Sequence, residues 1–320
     1  SRGGAIFNSA GKMDILGTAD KRVVFEDNKA YVGGAFTDVY TNNAETFIKG
    51  ALFEENHAGA DAGAAGFYGK VDVENTIFRE NTAAITVDGV TADLGNSDGG
   101  GAIMVGGTSD VSLTKVQFVG NESGARGGAI SARHGTGYEL DIDTATFTTN
   151  KSGNFGGGIA NVYGGTVNMN NVDFVSNSAT KAGGAIYNGK DMNYGGSTGS
   201  MSTNHGILNI AGTNTFTGNT AGEFGGAIYN DNGGTINMSG TNTFANNTHG
   251  EYAGANDIYN LGTLNITDGT TTIGGGIAGT GDFVLENGAT LNIGTALIQQ
   301  GTVNLDGAIV ASAMNSTSCS

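Results

Sequence analysis

Apolar and polar residues alternate with a period of two in short runs along this chain. Thr166-Val167-Asn168-Met169-Asn170 is such a run, and its centre recurs in Leu208-Asn209-Ile210, Ile236-Asn237-Met238, Leu264-Asn265-Ile266, Leu291-Asn292-Ile293 and Val303-Asn304-Leu305. Short alternating runs bounded by Gly, Asn and Ser are the mark of half-buried strands. No stretch sustains a helical period with caps. The pattern predicts an all-β chain of short strands and turns.

The strands belong to a repeat. Phe-x-x-Asn occurs eight times, as Phe25/Asn28, Phe53/Asn56, Phe78/Asn81, Phe118/Asn121, Phe147/Asn150, Phe174/Asn177, Phe216/Asn219 and Phe244/Asn247. Gly-Gly-Ala-Ile or a close variant stands at 3–6, 33–36, 100–103, 127–130, 156–159, 183–186 and 225–228. Successive Phe residues are 28, 25, 40, 29, 27, 42 and 28 positions apart. Such a period means stacked identical units. A coil of this length, made of short strands and turns, suits a parallel β-helix of about ten or eleven coils, ~50 Å long at ~4.8 Å per coil. Each Phe and each Ile then stacks on its equivalents inside. The Asn residues form a ladder, bonding the next amide or the turn backbone. The paired glycines mark a bend too tight for a Cβ.

Alignment on Phe places Asp72, Ser112, Asp141 and Asn168 in one outward row and Glu74, Thr114, Asp143 and Asn170 in another, with Val71/Val73, Val111/Leu113, Leu140/Ile142 and Val167/Met169 pointing inward. A Ser/Thr coil thus separates the acids, which avoids like charges directly opposite each other. The six Asn-centred runs read as one outward Asn row. The whole of 1–320 reads as one domain. Two long coils carry insertions near 82–99 and 189–205, the first with about 13 extra residues between Asn81 and Gly100, and the terminal coils across 248–320 are atypical. Insertions in repeat proteins leave as surface loops and often bind. The candidate interaction loop is Lys190, Asp191, Met192, Asn193 and Tyr194.

Composition narrows the class. Gly supplies 58 of 320 residues, without a Gly-X-Y triplet, and Pro is absent, which leaves every backbone N–H for the ladders. The net charge is −16, and nine acids but no base follow Lys190. That excludes charge-driven binding to nucleic acid or anionic lipid. No apolar run approaches a membrane span, so direct membrane insertion by this chain is not expected. The single cysteine, Cys319, rules out a disulfide framework and a Cys-based metal site. The sequence opens inside a repeat box, as expected of a mature or excised piece of something longer.

The Gly-Gly-Ala-Ile and Phe-x-x-Asn boxes together resemble the polymorphic outer-membrane protein repeat of bacterial autotransporter passengers. Segments 262–266 (Gly-Thr-Leu-Asn-Ile) and 288–294 (Gly-Ala-Thr-Leu-Asn-Ile-Gly) are similar to adhesin-type passengers of the same secretion class. The resemblance implies a single-stranded right-handed parallel β-helix, extracellular or on a bacterial cell surface, and commonly adhesive. The partners it implies are a host or neighbouring-cell surface ligand. The open ends of a β-helix add end-to-end self-assembly into a fibre as a second expectation.

The rival is a carbohydrate-active β-helix enzyme, a polysaccharide lyase or hydrolase. Its minimum chemistry is a carboxylate pair, for which Asp141/Asp143 and Asp72/Glu74 have i, i+2 spacing. Ser, Thr and Asn replace these acids in adjacent coils, which favours solvated strand-face positions. Arg133-His134-Gly135 lacks the companion motifs of a polygalacturonase, and His57, His205 and His249 have no metal spacing. Serine-nucleophile, phosphate-loop and calcium-nonapeptide motifs do not occur. Thr213/Thr215, Thr241/Thr243 and Thr270–Thr272 read as turn-proximal, too few for an ice-binding row. No catalytic residue, metal or cofactor is expected. The Phe-x-x-Asn boxes are expected to specify the fold, and function to sit in the long coils and at the ends.

Overall fold

The computed structural model describes residues 1–38, 45–87, 91–94, 97–190, 204–250, 257–295, 297–299 and 301–311. One coil shows how the alternation becomes architecture. Strand Glu139–Thr148 carries the alternating run and Phe147, the two-residue strand Lys151–Ser152 follows the Asn corner, and Ile159–Asn161 follows the glycine bend. The next coil repeats this as Thr166–Val175, Ser178–Ala179 and Ile186–Asn188. Each strand pairs in parallel with its equivalent, Phe147 opposite Phe174, Lys151 opposite Ser178 and Ile159 opposite Ile186. Among the described residues no two strands of one coil pair with each other, so these hydrogen-bond ladders run along the axis.

The Ile strands make an eleven-stranded sheet, and the short strands after Asn make an eight-stranded one. Twenty strands form the third sheet, in two columns: the alternating run and the Phe strand. The chain is a right-handed parallel β-helix, the hand that parallel crossovers adopt in twisted sheets. Eleven rungs at ~4.8 Å spacing extend about 50 Å. No α-helix occurs among the described residues.

The interior is built from rows of like residues. The eight Phe rings stack with centroids 4.4–5.1 Å apart and planes within 12° of parallel. The coil repeat imposes this spacing, because each ring rides on a backbone ~4.8 Å from the next. Phe147→Ala leaves a hole with rings on both sides, and ring-to-alanine core losses run about 3–5 kcal/mol. We expect a fall of that size in urea denaturation. Phe25→Ala should cost less, since Phe25 lies at the end of the row.

The Asn row is as regular. Each Nδ2 donates to the next coil's Oδ1 at 2.8–3.0 Å from Asn28 through Asn219. From Asn56 on, it also donates to the Phe carbonyl of the preceding coil. The last amide, Asn247, donates to the buried carboxylate of Asp257 at 2.8 Å. The ladder therefore bonds both the next amide and the turn backbone, and it satisfies polar groups that burial would otherwise orphan.

The outward rows separate the acids, with Asp72 opposite Ser112, Ser112 opposite Asp141 and Asp141 opposite Asn168. Three details refine or correct the sequence reading. First, the extra residues of the first long coil, expected between Asn81 and Gly100, follow a regular strand. Asn81 is fully buried, and its Nδ2 donates to Asn121 Oδ1 at 2.9 Å and to the Phe53 carbonyl at 3.0 Å. That corner delivers the chain in register, so Thr82–Ala83 is a regular strand pairing with His57–Ala58 on one side and Glu122–Ser123 on the other. The Ala84 N–H still donates to the Ala58 carbonyl at 3.0 Å, and the extra residues follow it. Second, Leu291-Asn292-Ile293 lies in the Phe column, where Ile273 pairs Phe244 and Ile293 pairs Ile273. Buried isoleucines thus continue the aromatic row, and Val284 fills the outward place between Asn265 and Asn304. Third, the Thr pairs lie within strands Thr213–Thr217, Thr241–Ala245 and Thr270–Ile273, with Thr213, Thr241 and Thr270 in register.

Candidate interaction surface

A second apolar cluster lies outside the main core. Phe155, Val162, Ala182, Tyr187 and Tyr229 form it, with Tyr163, Phe224, Tyr259 and Leu261 partly exposed against them. The strands Ile186–Asn188, Ile228–Asn230 and Ile258–Asn260 explain its position. Ile enters the core, so the next residue, Tyr, must face out. The three Tyr rings stack 5.5 and 5.7 Å apart. The glycine bend brings a second wall against them: Phe155 lies 4.9 Å from Tyr187, and Phe224 4.6 Å from Tyr259.

Burial, with the Asp231 carboxylate beside them, pushes the Tyr187 and Tyr229 phenols far up, so they stay protonated donors. Tyr187 Oη donates to the Lys190 carbonyl at 3.2 Å and to Asp231 Oδ2 at 3.4 Å. Lys190 therefore roots the second long coil beside the patch. Asp191, Met192, Asn193 and Tyr194 lie outside the described residues, as does Cys319.

The first long coil lies back over its neighbours. Asp93 accepts from Tyr31 Oη at 2.6 Å, and its N–H donates to the Gly59 carbonyl at 2.8 Å. Ser97 Oγ donates to the Ala60 carbonyl at 2.9 Å, and Asp98 N donates to Asp61 Oδ1 at 2.5 Å. Asp98 pairs with Arg133, whose guanidinium lies 4.1 Å over the Tyr163 ring. Arg133 is thus an anchor for this coil. His134 is buried, bonds the Thr166 carbonyl at 2.9 Å, and burial lowers its pKa. Both roles in that tripeptide are structural.

Asp141 and Asp143 share one outward face and each accepts from an amide, Asn168 and Asn170, at 2.7 Å. No group of three or more His, Cys, Asp or Glu side chains among the described residues is placed to hold a metal.

Three buried carboxylates, Asp38, Asp61 and Asp257, are raised by burial and give the fold a pH signature. Burial raises Asp38 to about 6, against bonds from the Tyr68 and Gly69 amides, and raises Asp61 to about 6 against the nearby Arg133 charge. A folded pKa above the unfolded one means the unfolded chain ionises first. Stability therefore falls as pH rises from about 4 to about 6, by about 3 kcal/mol for Asp38. Denaturation midpoints between those pH values should show the slope, and Asp38→Asn should flatten it, leaving the Asp61 and Asp257 contributions.

The Tyr patch was missed in the sequence although its signal is there: Gly-Gly-Ala-Ile at 183–186 and 225–228 is followed each time by Tyr-Asn, and Ile258-Tyr259-Asn260 repeats the triplet.

Residues 171–189 and 215–231 match the Chlamydia polymorphic membrane protein repeat. These segments hold Phe174, Asn177, Phe216 and Asn219 with the glycine boxes that follow. Over 164 residues the chain is 30% identical to the probable autotransporter YfaL of Escherichia coli (strain K12), covering 49% of this chain and 13% of that protein. No solved structure matches. Two coils thus match the polymorphic membrane protein repeat, and about half of the chain is similar to a small part of an autotransporter.

Proposed function

We propose that this chain is part of a passenger displayed at the outer membrane or cell surface, where it binds a ligand on a host or neighbouring cell without catalysis. The similarity to an autotransporter supports the location. The observation that carries the binding role is the aromatic cluster outside the core, with Phe224 and Tyr259 partly exposed. Aromatic residues on a polar, acidic surface are a common mark of an interaction site. Lys190 stands beside the cluster through its carbonyl, and replacing 191–203, the segment that follows it, with a Gly-Ser linker should weaken attachment.

The test is saturable binding of the fluorescently labelled chain to epithelial and bacterial cells, beside incubation with neutral and uronate glycans. Binding without new reducing ends or unsaturated products is expected. Cleavage of any glycan would transfer the protein to the enzyme class. End-to-end self-assembly is a separate proposal, resting on the unpaired rung edges that a parallel solenoid presents. Electron microscopy should then show filaments growing with concentration, and monodisperse single rods would dismiss it.

A further inference from the structure

A cavity of about 640 Å³ opens between the strand Lys29–Val32 and the returning limb of the first long coil. Small-ligand sites span ~300–1,000 Å³. Lys29, Tyr31, Gly59, Thr91 and Asp93 line it among others. The backbone explains the opening. The other strands of the eight-stranded sheet are two residues long, but Lys29–Val32 has four and His57–Asp61 five. Their register slips: Ala30 pairs Ala58, yet Val32 pairs Asp61. Such bulges re-aim side chains and gather at sheet edges and next to active sites. This one leaves Tyr31 facing out, 45% exposed, against the Gly59–Ala60 step. Gly59 has no side chain to fill the space.

The insertion supplies the far wall. Asp93 is fixed there by its N–H on the Gly59 carbonyl and by the Tyr31 hydroxyl on its carboxylate. Thr91 stands exposed beside it. The cavity thus offers a half-exposed aromatic ring, a carboxylate acceptor, an ammonium and two hydroxyls. Asp27 lies 3.2 Å from Lys29 Nζ and offsets its charge. Asp93 and Asp61 are both close enough to hold the Tyr31 phenol up. The rim is therefore net negative.

We propose that this cavity binds a neutral glycan, with one sugar ring laid on Tyr31 and its hydroxyls bonded to Asp93, Lys29 and Thr91. The C–H face of a sugar matches an apolar ring with a polar tip. A hydroxyl both donates and accepts, and its bonds to a carboxylate or an ammonium are charge-assisted. A uronate would meet the acids. An apolar ligand would bury Lys29 and Thr91 without partners. A calcium ion needs six to eight oxygens, and one carboxylate lines the cavity. The cavity lies in the first coils and the aromatic cluster in later ones, so each proposal fails alone.

The test is calorimetry of the full chain with hexasaccharides of glucose, mannose and N-acetylglucosamine, with hexagalacturonate and calcium alone as controls. Tyr31→Ala removes the platform from an exposed position. Asp93→Asn keeps the shape and the N–H bond to Gly59, removes the charge, and serves should the first variant not fold. At least one neutral series should bind, ~10-fold or more weakly in each folded variant. Phe224→Ser/Tyr259→Ser should bind that series like the parent. Loss of binding in that variant would place the glycan on the aromatic cluster and overturn the assignment. So would binding untouched by Tyr31→Ala and Asp93→Asn, binding only to uronate or calcium, or no binding to any neutral series.

Discussion

Asn150→Ala is expected to lower unfolding stability by about 4 kcal/mol, since each buried polar group left unsatisfied costs ~1–3 kcal/mol and the change strips partners from more than one. Asn150 is fully buried at the middle of the amide ladder. Its Oδ1 accepts from Asn121 N and Nδ2 at 3.0 and 2.9 Å, and its Nδ2 donates to the Phe118 carbonyl and Asn177 Oδ1 at 3.0 and 2.9 Å. Alanine removes all four bonds and offers water no room to replace them. In a solenoid the damage is local first. Hydrogen exchange should accelerate at Asn121 and Asn150 and their coils before the ends. Asn28→Ala, at the partly exposed start of the row, should lose far less. Equal losses at the two positions would show that the ladder is not a buried network.

Gly157→Ala is expected to do comparable or greater damage. A Cβ there would overlap the Gly184 carbonyl oxygen and lie 2.6 Å from Ser178 N and O, all backbone atoms of the next coil. Only separation of two coils would make room. Gly135 is the control, since a Cβ there meets nothing nearer than the Gly107 carbonyl oxygen at 3.9 Å. Gly135→Ala should leave the denaturation midpoint within ~0.5 kcal/mol of the parent, whereas Gly157→Ala should recover little folded protein. A folded Gly157→Ala chain with parental stability would mean the coils are not packed backbone to backbone at this corner.

These two positions show why so much of the fold was readable. An interior row admits little besides its own residue, so Phe147 and Asn150 recur at fixed offset and name their neighbours. Where shape suffices, identity drifts: Ile273 and Ile293 fill the Phe row without a Phe-x-x-Asn box, and Leu291-Asn292-Ile293 was assigned to the wrong column. The short strand after Asn81 was hidden for another reason, because two residues are too few to show an alternation. The outer surface was harder. Tyr187 must face out because Ile186 faces in, but only the glycine bend decides that Phe155 covers it. The contact joins residues 32 positions apart, Tyr187 on a strand and Phe155 at the start of the glycine bend, a meeting no linear pattern records. The in-strand placement of the Thr pairs was lost for a similar reason, since Gly and Asn serve both as turn residues and, here, as corners within a sheet.

Repeated residues build the rod, and the outward aromatic cluster is the surface we propose to bind. Saturation binding to cells by the parent chain and by Phe224→Ser/Tyr259→Ser tests it most directly, with circular dichroism to confirm that both are folded. The account predicts saturable binding by the parent and at least a ~10-fold weaker interaction for the folded variant. Binding of equal strength by both, or none by the parent, would contradict it.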